Sequence, residues 1–139
     1  MKISTLVSTA ALAVLGGFSA HAKLGDTVAM IEARWGKPIG ANSERSRYSR
    51  NGIVLEVVYL RGASVCETYW KETYPAGTQT KGFSDEEAKR YRELYGDGQI
   101  WTLSTKGVRW LRADKEVTCT QLGDQLTFRA EAHAKFPRE

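Results

Sequence analysis

The chain has 139 residues, with 20 Lys and Arg against 16 Asp and Glu, a formal charge of +4. At 42% hydrophobic, 26% charged and 3 Pro, the composition is that of one folded domain; it excludes collagen-like, proline-rich and disordered chains. Two cysteines are too few for a disulfide scaffold or for a cysteine-built zinc centre.

Residues 1–22 read as a cleavable signal peptide. Lys2 supplies the positive start, the run from Ile3 to Phe18 is apolar and uncharged, and Ala20-His21-Ala22 places small residues where a signal peptidase cuts. The run is shorter than the roughly 20 apolar residues a membrane span needs, so no transmembrane anchor is expected. No cysteine follows the cut, so no lipid-attachment site is expected either. The mature chain, residues 23–139, is predicted to be periplasmic or secreted and to form a single α+β domain. In that compartment nucleic acid is an improbable partner. Arg45, Arg47, Arg50, Arg90, Arg92, Arg109 and Arg112 are interspersed with acids and read as solvated surface.

The first helix has clear punctuation. Thr27 is placed to cap it beside Asp26; Val28, Ile31 and Trp35 share one helical face; Gly36 and Pro38 end it. Strands follow at Arg47–Arg50, Ile53–Leu60 and Ser64–Tyr74. The first two are joined by Asn51-Gly52, a two-residue hairpin signal in which both positions tolerate positive φ. Arg61-Gly62-Ala63 turns the chain into the third strand, and Pro75-Ala76-Gly77 ends it.

A second helix starts at a capping box, Ser84 with Glu87, reinforced by Asp85 and Glu86. Ala88, Tyr91, Leu94 and Tyr95 form its apolar face, and Gly96-Asp97-Gly98 closes it. Four alternating segments, 100–104, 108–113, 116–121 and 125–131, read as strands separated by Lys106-Gly107, Asp114-Lys115 and Gly123-Asp124. The expected architecture is therefore two tandem helix-plus-meander units, about residues 23–76 and 77–134. That is α-β-β-β twice with an extra C-terminal strand, as an antiparallel sheet with helices on one face. Alternation assigns Trp101, Leu103, Val108, Trp110, Val117, Cys119, Leu126 and Phe128 to the core side. Thr102, Arg109, Thr118, Thr120, Thr127, Arg129 and Glu131 fall on the other.

Gly25-Asp26-Thr27, Ile31, Trp35-Gly36 and Lys37-Pro38, followed by Tyr48 and the Asn51-Gly52 hairpin, resemble the opening of the SmpA/BamE-type family of small outer-membrane proteins. The order of elements is similar to the β-lactamase-inhibitor-protein fold. That resemblance implies a continuous sheet whose helix-free face grips a partner protein.

Cys66 and Cys119 are the two candidates for a disulfide, as expected of paired cysteines in an oxidising compartment. No catalytic residue, metal site or cofactor is predicted. His133 is the one histidine of the mature chain, no second histidine is there to serve as a base, and Gly96-Asp97-Gly98 is a turn and not a phosphate cradle. Aromatic and arginine side chains are the remaining signal, since Trp, Tyr and Arg dominate binding hot spots. The expected function is a non-catalytic module that binds a protein partner through Tyr59, Tyr69, Trp70, Arg109 and Arg129, on the sheet face away from the helices. The rival reading is a small-ligand or envelope-polymer site, binding or hydrolytic, that uses Asp97 or Asp114.

Overall fold

A computed structural model describes residues 24–72, 82–104 and 107–131. The signal segment, the Pro75-Ala76-Gly77 turn, Lys106 and His133 lie outside the described residues. The elements are α1 (Val28–Trp35), β1 (Gly40–Ala41), β2 (Arg45–Arg50), β3 (Ile53–Leu60), β4 (Ala63–Lys71), α2 (Asp85–Tyr95), β5 (Trp101–Leu103), β6 (Arg109–Arg112), β7 (Val117–Leu122) and β8 (Gln125–Ala130). The strands form one eight-stranded sheet in the order β1-β2-β3-β4-β8-β7-β6-β5. Every neighbouring pair is antiparallel.

The expected arrangement holds at the level of a mixed α+β domain with an antiparallel sheet, and one detail changes. The two-residue β1, which pairs with Ser46 and Arg47, precedes the hairpin. Among the described residues the first half therefore has four strands, like the second. β1 is short because Pro38 lies just before it and Asn42 takes over the backbone beyond it. The Asn42 side chain accepts from the amides of Glu44 and Arg45, both at 2.9 Å, a local turn that competes with ladder pairing.

Both helices begin as their caps dictate. Thr27 Oγ1 accepts from the Met30 amide at 3.3 Å. Ser84 and Glu87 exchange bonds of 3.1 and 2.8 Å in a complete capping box. The helix ends are closed from the sheet by arginines on the second strands of the two meanders. Arg50 donates to the Arg34 carbonyl, and Arg112 donates to the Tyr95 carbonyl at 2.8 Å. A cation at the carbonyl end of a helix offsets its negative dipole end.

The helices share one face of the sheet. Ile31 and Trp35 of α1 and Ala88 and Tyr95 of α2 belong to one core with Tyr48, Leu55, Val57, Tyr69, Cys119, Leu126 and Phe128. Tyr69, on the central strand β4, has no exposed surface. Its ring lies 6.1 Å from Trp35 of α1 and 4.9 Å from Tyr91 of α2. Tyr95 stacks on Phe128 at 3.8 Å. Trp101 and Trp110 pack at the margin of this core. Arg92 lies 3.9 Å over the Trp110 ring, while Trp101 Nε1 donates to the Arg92 carbonyl at 2.9 Å.

The expected disulfide does not form: Cys66 and Cys119 are both free thiols, and both are buried. The register gives the reason. Cys66 stands opposite Arg129 and Cys119 opposite Phe128. These are successive residues of β8, so the two cysteines point to opposite faces of the sheet. They also sit on strands separated by β8, which puts their Cα atoms about 9–10 Å apart, beyond the roughly 7 Å that a disulfide spans. Burial pushes the Cys119 thiol up to about 12, so it is inert as a nucleophile. Thiol titration of the native, oxidant-exposed protein is expected to find neither group reactive and, after denaturation without reductant, both. Reductant should leave the melting temperature unchanged.

Candidate functional site

Pleating divides the side chains between a helix-covered face and an open face. Tyr59 and Tyr69, expected on the open face, lie on the covered one. Tyr59 packs against the core and its hydroxyl is 3.0 Å from that of Tyr48; Tyr69 is wholly buried. The pleat puts them there: Tyr59 has the parity of Leu55 and Val57, and Tyr69 stands opposite Leu55. Val58 stands opposite Cys66 but Tyr59 stands opposite Ser64, so Val65 is an extra residue. This bulge puts Ser64 on the helix side with Glu67 and Tyr69 although strict alternation separates Ser64 from Glu67. Trp70, Arg109 and Arg129 do lie on the open face, opposite in the pleat to Tyr69, Trp110 and Phe128.

The register joins residues into rows across the open face. One row runs Arg47, Glu56, Thr68, Thr127, Thr120, Arg109. It crosses six strands, about 24 Å at the spacing of a sheet, and ends in an arginine at each side. At its centre the Thr68 and Thr127 hydroxyls are 3.1 Å apart, across the β4–β8 seam. At the first end Glu56 binds both Arg47 at 2.9 Å and Arg45 at 3.2 Å, and the Arg47 guanidinium lies 5.3 Å from the Trp70 ring. At the other end Thr120 occupies the place equivalent to Glu56. Arg109 and, in the adjoining row, Arg129 have no acidic partner among the described residues. The pairing of Arg47 with Glu56 was legible in advance, because a two-residue turn at Asn51-Gly52 sets these two residues opposite each other.

A second feature lies on the covered side. A cleft of about 700 Å³ opens between the entry to α1, the end of α2 and the start of β7, with walls that include Leu24, Val65, Leu94 and Val117. Ser64, Tyr95, Asp97 and Glu116 also line it. Next to Ser64 and Tyr95 is Glu67, a carboxyl with no exposed surface. Tyr95 donates to Glu67 Oε2, and the Tyr69 and Tyr95 hydroxyls are 2.5 Å apart. Oε1 lacks a hydrogen bond of good geometry.

Burial pushes the Glu67 carboxyl up to about 7, against hydrogen bonds from Tyr95 and Ser64 that favour the charged form. Burial likewise drives the Tyr95 hydroxyl well above the ordinary tyrosine range. The one sequence signal for Glu67 is its place two residues from Tyr69 on one strand, which gives the two a common face. Asp114, by contrast, is a turn residue held well below the usual carboxylate range by Arg112, the Glu116 amide and Gln99.

No protein-family model, no curated protein and no solved structure matches this chain. No helix among the described residues is long and apolar enough to cross a membrane.

Because the folded pKa of Glu67 is raised, the folded state holds its proton more tightly than the unfolded chain. The contribution of Glu67 to stability is then full below about pH 4.5 and is lost as pH rises through about 7. The expected loss is on the order of 3 kcal/mol across that window. Urea unfolding at a series of pH values should show this decline for the native chain. Glu67→Gln should flatten it and raise stability at pH 8.

Proposed function

We propose that this chain is an exported, non-catalytic binding protein, periplasmic or secreted, that engages a protein partner through the open face of its sheet. One observation carries the reading: eight strands present a continuous surface, both helices pack on the other side, and the uncovered side holds Trp70, Arg47, Arg109 and Arg129. Aromatic and arginine side chains on a preformed surface are the composition of interface hot spots. A sheet offers them on a rigid frame, so little conformational entropy is lost on binding. The similarity of element order to the β-lactamase-inhibitor-protein fold implies the same use of this face.

A lack of catalysis fits the work the acids already do. Glu87 closes a capping box and binds Lys71 at 2.9 Å. Asp26 binds Arg34 at 2.7 Å, and Asp114 binds Arg112 at 2.6 Å.

The test is retention of envelope and culture-supernatant proteins on immobilised mature chain. Arg109→Glu with Arg129→Glu is expected to abolish retention while the melting temperature changes by no more than a few degrees, since neither side chain enters the core. Tyr69→Ala should instead destabilise the fold by about 3–5 kcal/mol. Retention unaffected by the double arginine change would overturn the use of this face.

The Glu67 cleft favours a second reading, a small-ligand site. Its volume falls within the range of ligand pockets, and a buried carboxyl with a raised pKa beside a cleft marks many functional sites. A saturable rise in melting temperature with a metabolite or envelope glycan, lost in Asp97→Ala and Glu67→Gln, would establish it.

A further inference from the structure

The two halves of the open face are built on matching registers but carry different charge. About the β4–β8 seam, Thr68 corresponds to Thr127, Glu56 to Thr120 and Arg47 to Arg109. The arginine is present on both sides; the carboxylate beside it is present on one. In the first half Glu56 satisfies Arg45 and Arg47 within the molecule. In the second half a threonine leaves Arg109 exposed and Arg129 half-exposed, with no acidic partner for either among the described residues.

Resting on the reading of this face as the binding surface, we infer that its second half is the part that recognises the partner, and that it takes carboxylates of an acidic polypeptide segment. Arg109 and Arg129 lie about 12 Å apart by sheet geometry, with the Thr120 and Thr127 hydroxyls between them. Guanidinium groups match carboxylates with two parallel hydrogen bonds, and hydroxyls beside them donate to the remaining oxygens. The missing glutamate is then supplied by the partner: its side chain plays toward Arg109 the part that Glu56 plays toward Arg47. Half-buried Leu111 on the same face, two residues from Arg109, adds the apolar contact that distinguishes a polypeptide interface from a purely electrostatic polyanion track.

The experiment measures binding of poly-L-glutamate to the mature chain by calorimetry at low ionic strength, with dextran sulfate as a second probe. Thr120→Glu restores the internal carboxylate. It is expected to weaken poly-L-glutamate binding about tenfold or more while the melting temperature holds or rises. Thr120→Gln adds the same length without the charge and should bind as the native chain does. Glu56→Thr should release Arg45 and Arg47 and add a second site, seen as raised stoichiometry.

Equal loss in Thr120→Glu and Thr120→Gln would overturn the inference, because the effect would be steric. Tighter binding of dextran sulfate than of poly-L-glutamate would overturn it in favour of an anionic polysaccharide. If poly-L-glutamate fails to bind while the arginine double variant still loses its envelope partner, the carboxylate chemistry is wrong and the binding face stands. If the double variant also keeps its partner, the face itself is wrong.

Discussion

The pairing of β4 with β8 is the constraint on which the rest of the molecule depends. Four residue pairs, Cys66 with Arg129 through Tyr69 with Leu126, join two meanders into one sheet. Each helix precedes its own meander and must bury a single apolar stripe. A seam between the last strands of the two halves makes both helices lie over the same face. Tyr69 sits beside that seam, in contact with Trp35 from one helix and Tyr91 from the other. Without the seam each half would be a small sheet with one helix, too small to bury a sizeable core.

The same constraint concentrates polar chemistry where it is expensive. Glu67 is on β4, in the seam opposite Phe128 and two residues from Tyr69, on the helix-covered face. A charged carboxylate there costs several kcal/mol unless it is paired. The fold answers with a hydroxyl relay from Tyr69 and Tyr95, and by keeping the proton on the acid up to neutral pH. Hydrogen bonds of this kind specify a unique packing more than they stabilise it. Here they tie Tyr95, the last residue of α2 and part of the cleft wall, to the centre of the sheet.

On the opposite face the polar groups are inexpensive because water reaches them, and there the two halves diverge. Thr68 and Thr127 meet at the seam as equivalents. Away from it, one half is closed by Glu56 and the other is left electropositive. Matching backbone with divergent charge is how a sheet can keep its geometry while only part of its surface is committed to a partner.

Helix caps, the Asn51-Gly52 hairpin, the turns and the alternation of β5 to β8 were all legible in the sequence, because each depends on residues within a few positions of one another. Thr27, Ser84 and Glu87 announce helix starts through local hydrogen bonds, and alternation places Val117, Cys119, Leu126 and Phe128 in the core. Leu103 and Val108, expected there, are instead exposed at the sheet margin, and Thr118, expected outside, is buried. The disulfide, the outward placement of Tyr59 and Tyr69, and the importance of Glu67 were not settled locally. Tyr69 takes its face from its partner Leu55 on β3, and the single extra residue at Val65 puts Ser64 on that face too. Whether Cys66 can reach Cys119 depends on which strand lies between them and on which face each points to. Only the long-range choice to pair β4 with β8 determined that, and with it the free face and its unequal charge.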